Sequence, residues 1–91
     1  MVIWKYLLGP IFHQTVDIPA GFTIRHVAPH ETTALGICLW AEVDPDARRV
    51  SVEFYIFGTG DLLIDGLSYV GTAVVADGFV WHIYSTTKEL I

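Results

Sequence analysis

Gly58-Thr59-Gly60-Asp61 is the segment best suited to chemistry in this chain. Two glycines allow a tight bend and close approach of a ligand to the backbone. Amides exposed in such a bend can hold a phosphate or a carboxylate. Lys5, Tyr6 and His82 could serve the same site if their strands lie beside the loop. Lys5 would supply charge, while Tyr6 and His82 would offer hydrogen bonds or a stacking face. The candidate ligand-binding set is therefore Lys5, Tyr6, Gly58, Thr59, Gly60, Asp61 and His82. The loop is far from a phosphate-loop fingerprint, and an ordinary turn ending a strand is the competing reading.

The remaining reactive residues do not assemble a catalytic or metal signature. His13, His26, His30 and His82 are irregularly spaced, and Pro29 interrupts the one i, i+4 pair, so no metal site is expected. Asp44, Asp46, Asp61, Asp65 and Asp77 all fall in turn signals, where their side chains bond nearby amides. No nucleophile elbow is present. Cys38 is the single cysteine, which excludes an intrachain disulfide, and its apolar setting predicts burial. The chain is expected not to be an enzyme and to need no cofactor. Trp4, Trp40 and Trp81 suit core or interface anchoring, with stacking on a base as the alternative.

Those residues must be positioned by strands. Val, Ile, Phe, Tyr and Trp recur in short alternating runs, and turn signals return about every 8–12 residues. Strands are predicted at 2–8, 14–18, 22–28, 35–44, 48–57, 67–76 and 79–84. Pro19–Gly21 is predicted to close one hairpin, Asp44–Ala47 a second and Asp77-Gly78 a third, the last as a two-residue turn. Residues 29–33 are predicted to be a polar loop, 62–66 a connector with one helical turn, and 85–91 a tail that frays or forms a short helix. The fold class is all-β: a small antiparallel sandwich or partly open barrel of about six or seven strands. Residues 1–91 form a single β domain.

Hydrophobic residues make up 53% of the chain and charged residues 16%. The usual hydrophobic share is about 45–50%. A domain this small cannot bury such a surplus alone, so a homo-oligomer is expected. Net charge is −5, with five Lys and Arg residues, too few for the basic face that binds polymeric nucleic acid. A small anionic ligand remains compatible. No apolar run reaches the length of about 18 residues that a membrane helix needs, and a soluble, cytosolic chain is expected.

One ordered series of words spans nearly the whole chain. It comprises Ile3-Trp4-Lys5-Tyr6, Ile18-Pro19-Ala20-Gly21, Leu39-Trp40-Ala41-Glu42-Val43-Asp44-Pro45, Gly58-Thr59-Gly60, Tyr69-Val70-Gly71-Thr72 and Val80-Trp81-His82-Ile83-Tyr84. The series resembles a family of short, uncharacterised β proteins encoded by phages and prophages. Two positions depart from that pattern: Asp61 stands where it favours His, and Phe22 where it favours Ala. The resemblance implies a viral accessory protein in the host bacterial cytoplasm. By analogy with other small phage proteins, it implies a non-enzymatic binding protein that counters host antiviral defence. Sequestering a nucleotide second messenger, or blocking a host protein, would achieve that. The alternative is a minor structural or assembly protein with no small-molecule ligand.

Overall fold

The computed structural model describes residues 1–30, 36–75 and 78–86. Seven strands form the chain: β1 (Val2–Leu8), β2 (His13–Pro19), β3 (Thr23–Pro29), β4 (Ile37–Val43), β5 (Arg49–Gly58), β6 (Ser68–Val74) and β7 (Val80–Ser85). All pairings are antiparallel. They make a three-stranded sheet in the order β1-β4-β3 and a four-stranded sheet in the order β2-β5-β7-β6. The two sheets pack as a sandwich and do not close into a barrel.

Alternation assigns the faces. Val52, Phe54 and Ile56 of β5 point inward with Ile18 of β2 and Ile83 of β7, and meet Leu8 of β1 and Ile37, Leu39, Ala41 and Val43 of β4. Burying each Val, Leu, Ile or Phe side chain here contributes about 1.5–3 kcal/mol. Cys38 is buried as well, on the other face of β4.

Two of the three expected hairpins are not hairpins. β2 pairs with β5 and β3 with β4, so the joints at 19–22 and 44–48 pass between sheets. They run side by side, with the Ala20 amide donating to the Arg48 carbonyl at 2.8 Å. β2–β3 and β4–β5 are thus the two arms of one long ribbon, folded over at this corner. The closed end of that ribbon is marked by the His30 amide donating to the Gly36 carbonyl at 2.9 Å. The turn chemistry expected at Asp44 is present: the Ala47 amide donates to the Asp44 carbonyl, and the Asp46 amide to Asp44 Oδ1, each at 3.0 Å. A turn of this kind reverses the chain whether the next strand lies alongside or crosses to the facing sheet. Its residues therefore could not separate the two outcomes.

The third hairpin, β6–β7, forms, with a longer loop than expected. The Val75 amide donates to the Phe79 carbonyl at 2.8 Å and the Gly78 amide to the Val75 carbonyl at 3.2 Å. That bonding leaves three residues between Val75 and Phe79 rather than two. Gly78 has φ 79°, the left-handed position that closes three-residue hairpin loops. Gly78→Ala should cost about 1–2 kcal/mol, because a Cβ disfavours that conformation. An unchanged urea midpoint would contradict this placement. The 62–66 connector contains no helical turn, and Leu62, Leu63 and Ile64 are exposed. Most of the expected 29–33 loop and 85–91 tail, along with Leu35, Ala76 and Asp77, lies outside the described residues.

Candidate functional site

β5 ends in a turn built by its own residues. The Asp61 amide donates to the Gly58 carbonyl at 3.1 Å, and the Gly58 amide donates to Asp61 Oδ2 at 2.7 Å. Gly60, third in the turn, has φ 96°, as a type II turn requires. Asp61 thus closes the turn with its side chain, and one of its carboxylate oxygens is already engaged.

The absence of a side chain at Gly58 makes room for an indole. Gly58 pairs with Trp81 across the β5–β7 ladder, and Trp81 Cζ3 lies 3.8 Å from where a Cβ of residue 58 would stand. Phe79 stacks on Trp81, with centroids 5.8 Å apart and ring planes 4° from parallel. The two rings form a shelf in an open hollow of about 450 Å³, lined by Gly58, Thr59, Asp61, Gly78, Phe79, Val80 and Trp81. Its charged group is therefore a carboxylate, and Lys5, Arg25, Arg48 and Arg49 do not line it. That electrostatic character suits hydrogen-bond donors and cations better than anions.

His82 lies on the outer face of the second sheet, outside the residues that line the hollow, and reaches it only through Thr59. Its Nε2 shares a 3.0 Å hydrogen bond with Thr59 Oγ1, and its Nδ1 one of 3.1 Å with Thr72 Oγ1. Thr72 Oγ1 in turn bonds the Tyr69 hydroxyl. Four polar groups therefore form one continuous chain across β7, β6 and the 58–61 turn. Beside it, Phe12, Tyr55, Phe57, Tyr69 and Tyr84 pack edge to face. Phe57 belongs to the outward row of β5, yet Phe12 and Tyr84 cover it to 1% exposure. Alternation alone predicts exposure there, because the cover comes from distant parts of the chain.

The structure gathers five of the seven expected residues: Gly58, Thr59, Gly60, Asp61 and His82. The other two lie on β1 of the opposite sheet and do not line the hollow. Lys5 sits opposite Trp40 in the outward row, and Tyr6 sits opposite Leu39 in the inward row. Burial holds the Tyr6 phenol above its ordinary pKa, with Arg49 pulling in the opposite direction. Tyr6 Oη and Trp81 Nε1 are both buried without a hydrogen-bond partner.

Other candidates are accounted for locally. His13 pairs with Glu53 at 2.8 Å and stacks on Tyr55, His26 lies against Trp40, and Trp4 carries the Arg49 guanidinium 5.4 Å from its ring centre. Sequence reasoning missed Phe79, Thr72 and Tyr69. Phe79 directly follows the Asp77-Gly78 turn signal, which was the available pointer to a residue at a hairpin mouth. Thr72 becomes visible only once β6 and β7 are in register, since it is the residue opposite His82.

A family model, DUF7352, described as a domain of unknown function, matches residues 1–90. No curated protein and no solved structure matches the chain.

Proposed function

The chain belongs to the DUF7352 family, a domain of unknown function, and we propose that it is a binding protein whose hollow captures a planar ring bearing hydrogen-bond donors. The stacked Phe79–Trp81 pair, edged by Thr59 and Asp61, carries this reading. Stacking of a nucleobase on an aromatic side chain is worth about 1–3 kcal/mol. The amino and imino groups of a base match the acceptors at Thr59 and Asp61. With net charge −5 and a carboxylate in the lining, phosphates of a bound nucleotide would project into solvent. Combined with the resemblance to phage-encoded proteins, the reading becomes sequestration of a nucleotide signal of host defence in the bacterial cytoplasm.

Titration with nucleosides and cyclic dinucleotides tests it, followed by tryptophan emission and melting midpoint. A ligand at 100 times its Kd should add about 2.7 kcal/mol of stability. Phe79→Ala should weaken binding by about tenfold or more. The reading fails if no base-bearing ligand changes either signal.

A structural or assembly role is the second reading, favoured by exposed apolar surface. Leu62 is 92% exposed with Leu63 and Ile64 beside it, and Ile3 and Leu7 are exposed on the edge strand β1. The same surface supports self-association, since a row of unpaired strand-edge groups readily accepts another chain. Sedimentation at micromolar concentration should then reveal a species heavier than 10.1 kDa. A monomer alone would refute self-association.

A further inference from the structure

We infer that Thr59 is a nucleophile, activated by His82, that accepts an acyl group from an uncharged or cationic ester seated in the hollow. This goes beyond capture and rests on the hollow being a ligand site. A hydroxyl becomes an effective nucleophile when a base lies within hydrogen-bond reach and a third group orients that base. Thr59 Oγ1 is 3.0 Å from His82 Nε2, and Thr72 Oγ1 is 3.1 Å from His82 Nδ1. The imidazole is held on β7 between Phe57 of β5 and Thr72 of β6, its register neighbours on the two sides.

The hydroxyl partners permit the productive tautomer. With the ring proton on Nδ1, that N–H donates to Thr72 Oγ1, the Thr72 hydroxyl donates to Tyr69 Oη, and Nε2 accepts from the Thr59 hydroxyl. On protonation at Nε2, the bonds from Nδ1 outward stay as they are, so the base can charge without rearranging its support. Thr59 itself is exposed between two glycines, and nothing lies within 4 Å of where a Cβ at residue 60 would stand. Among the described residues, the Gly60 amide has no hydrogen-bond partner. It is a candidate donor to the oxyanion that acyl transfer develops.

The step balances within the site. Thr59 Oγ1 attacks the ester carbonyl carbon as its proton passes to His82 Nε2. The bond from that carbon to the leaving oxygen breaks, and the proton on Nε2 passes to the departing alkoxide or phenoxide. Acyl-Thr59 and an alcohol or phenol result, with the imidazole neutral again. Asp61 selects the substrate class, because its carboxylate opposes anionic acyl donors. Phosphoryl transfer would need cations around the transferred group, and the described lining holds none.

The test uses p-nitrophenyl acetate, a neutral acetyl donor, read by p-nitrophenolate release and by peptide mass mapping. The wild type should carry one acetyl group on Thr59. Thr59→Ser should retain the label at residue 59, and Thr59→Ala should lose it. His82→Gln should slow labelling about 100-fold, the loss expected for a general base. Circular dichroism and the melting midpoint of each variant exclude unfolding as the cause. Acetyl found only on other residues, His82 included, would overturn the inference. So would labelling of Thr59 at an unchanged rate in His82→Gln. Binding of a nucleoside, lost in Phe79→Ala, without acetylation of Thr59 would overturn the nucleophile while leaving the binding site standing.

Discussion

Phe54→Ala should remove about 3–5 kcal/mol of stability, the usual loss for deleting a buried phenyl ring. Phe54 has no exposed surface and lies on β5, the strand flanked by β2 and β7 in the larger sheet. Its register partners are Gln14 and Ser85, both with small or polar inward groups. They cannot expand to fill the space a phenyl ring leaves, so the cavity should persist rather than collapse. A chain of 91 residues has a total stability of about 5–14 kcal/mol. One substitution would then remove a large fraction of it and shift the urea midpoint well downward with little change in slope. A loss below about 1 kcal/mol, the range of surface substitutions, would mean that the inward row of β5 is not the centre of the core.

That row was readable directly from Val50, Val52, Phe54 and Ile56, because alternation is a local property with a period of two. The extent of each strand was readable for the same reason, within one or two residues. Strand partners were readable only for β6 and β7. Pro19–Gly21 and Asp44–Ala47 carry correct turn chemistry, but such residues encode a reversal and not the sheet in which the next strand continues. The decision comes from the fold-over of the whole ribbon, which depends on contacts between distant residues.

The same distinction runs through the site. The glycines of the 58–61 turn announced a bend, and Thr59, Asp61 and His82 are gathered around it. Lys5 was expected there on the assumption that the first strand approaches the loop. β1 instead joins β4 in the other sheet and turns Lys5 to its outer face. Electrostatics change accordingly: a loop imagined with a lysine beside it suits an anion, whereas the observed lining presents a carboxylate. Phe79 carried little weight in the sequence because its value lies in stacking on Trp81, and no spacing rule encodes that.

Gly71→Val should be the most disruptive substitution outside the hydrophobic core. Gly71 lies on β6 and faces Val27 of β3, where the edges of the two sheets meet. A Cβ built at residue 71 would stand 2.6 Å from Val27 Cγ2 and 3.0 Å from Val27 Cβ. The nearer atom belongs to a β-branched side chain with little rotamer freedom, and the second is fixed to the backbone. The clash cannot be relieved by swinging one group aside, so β3 and β6 must separate. Overpacking of this kind typically costs about 1–3 kcal/mol and occasionally more, and valine, with two further methyls, belongs at the top of that range. Gly71→Ala should show a smaller loss from the same Cβ clash, and adding Val27→Ala to it should recover part of that loss, because it returns volume at the same contact. Thermal and urea denaturation of the single and double variants measure that coupling. If Gly71→Val unfolds at the parent's midpoint, the sheet edges do not meet at this glycine. If the double variant is no better than the sum of its parts, Val27 is not the neighbour that makes glycine necessary.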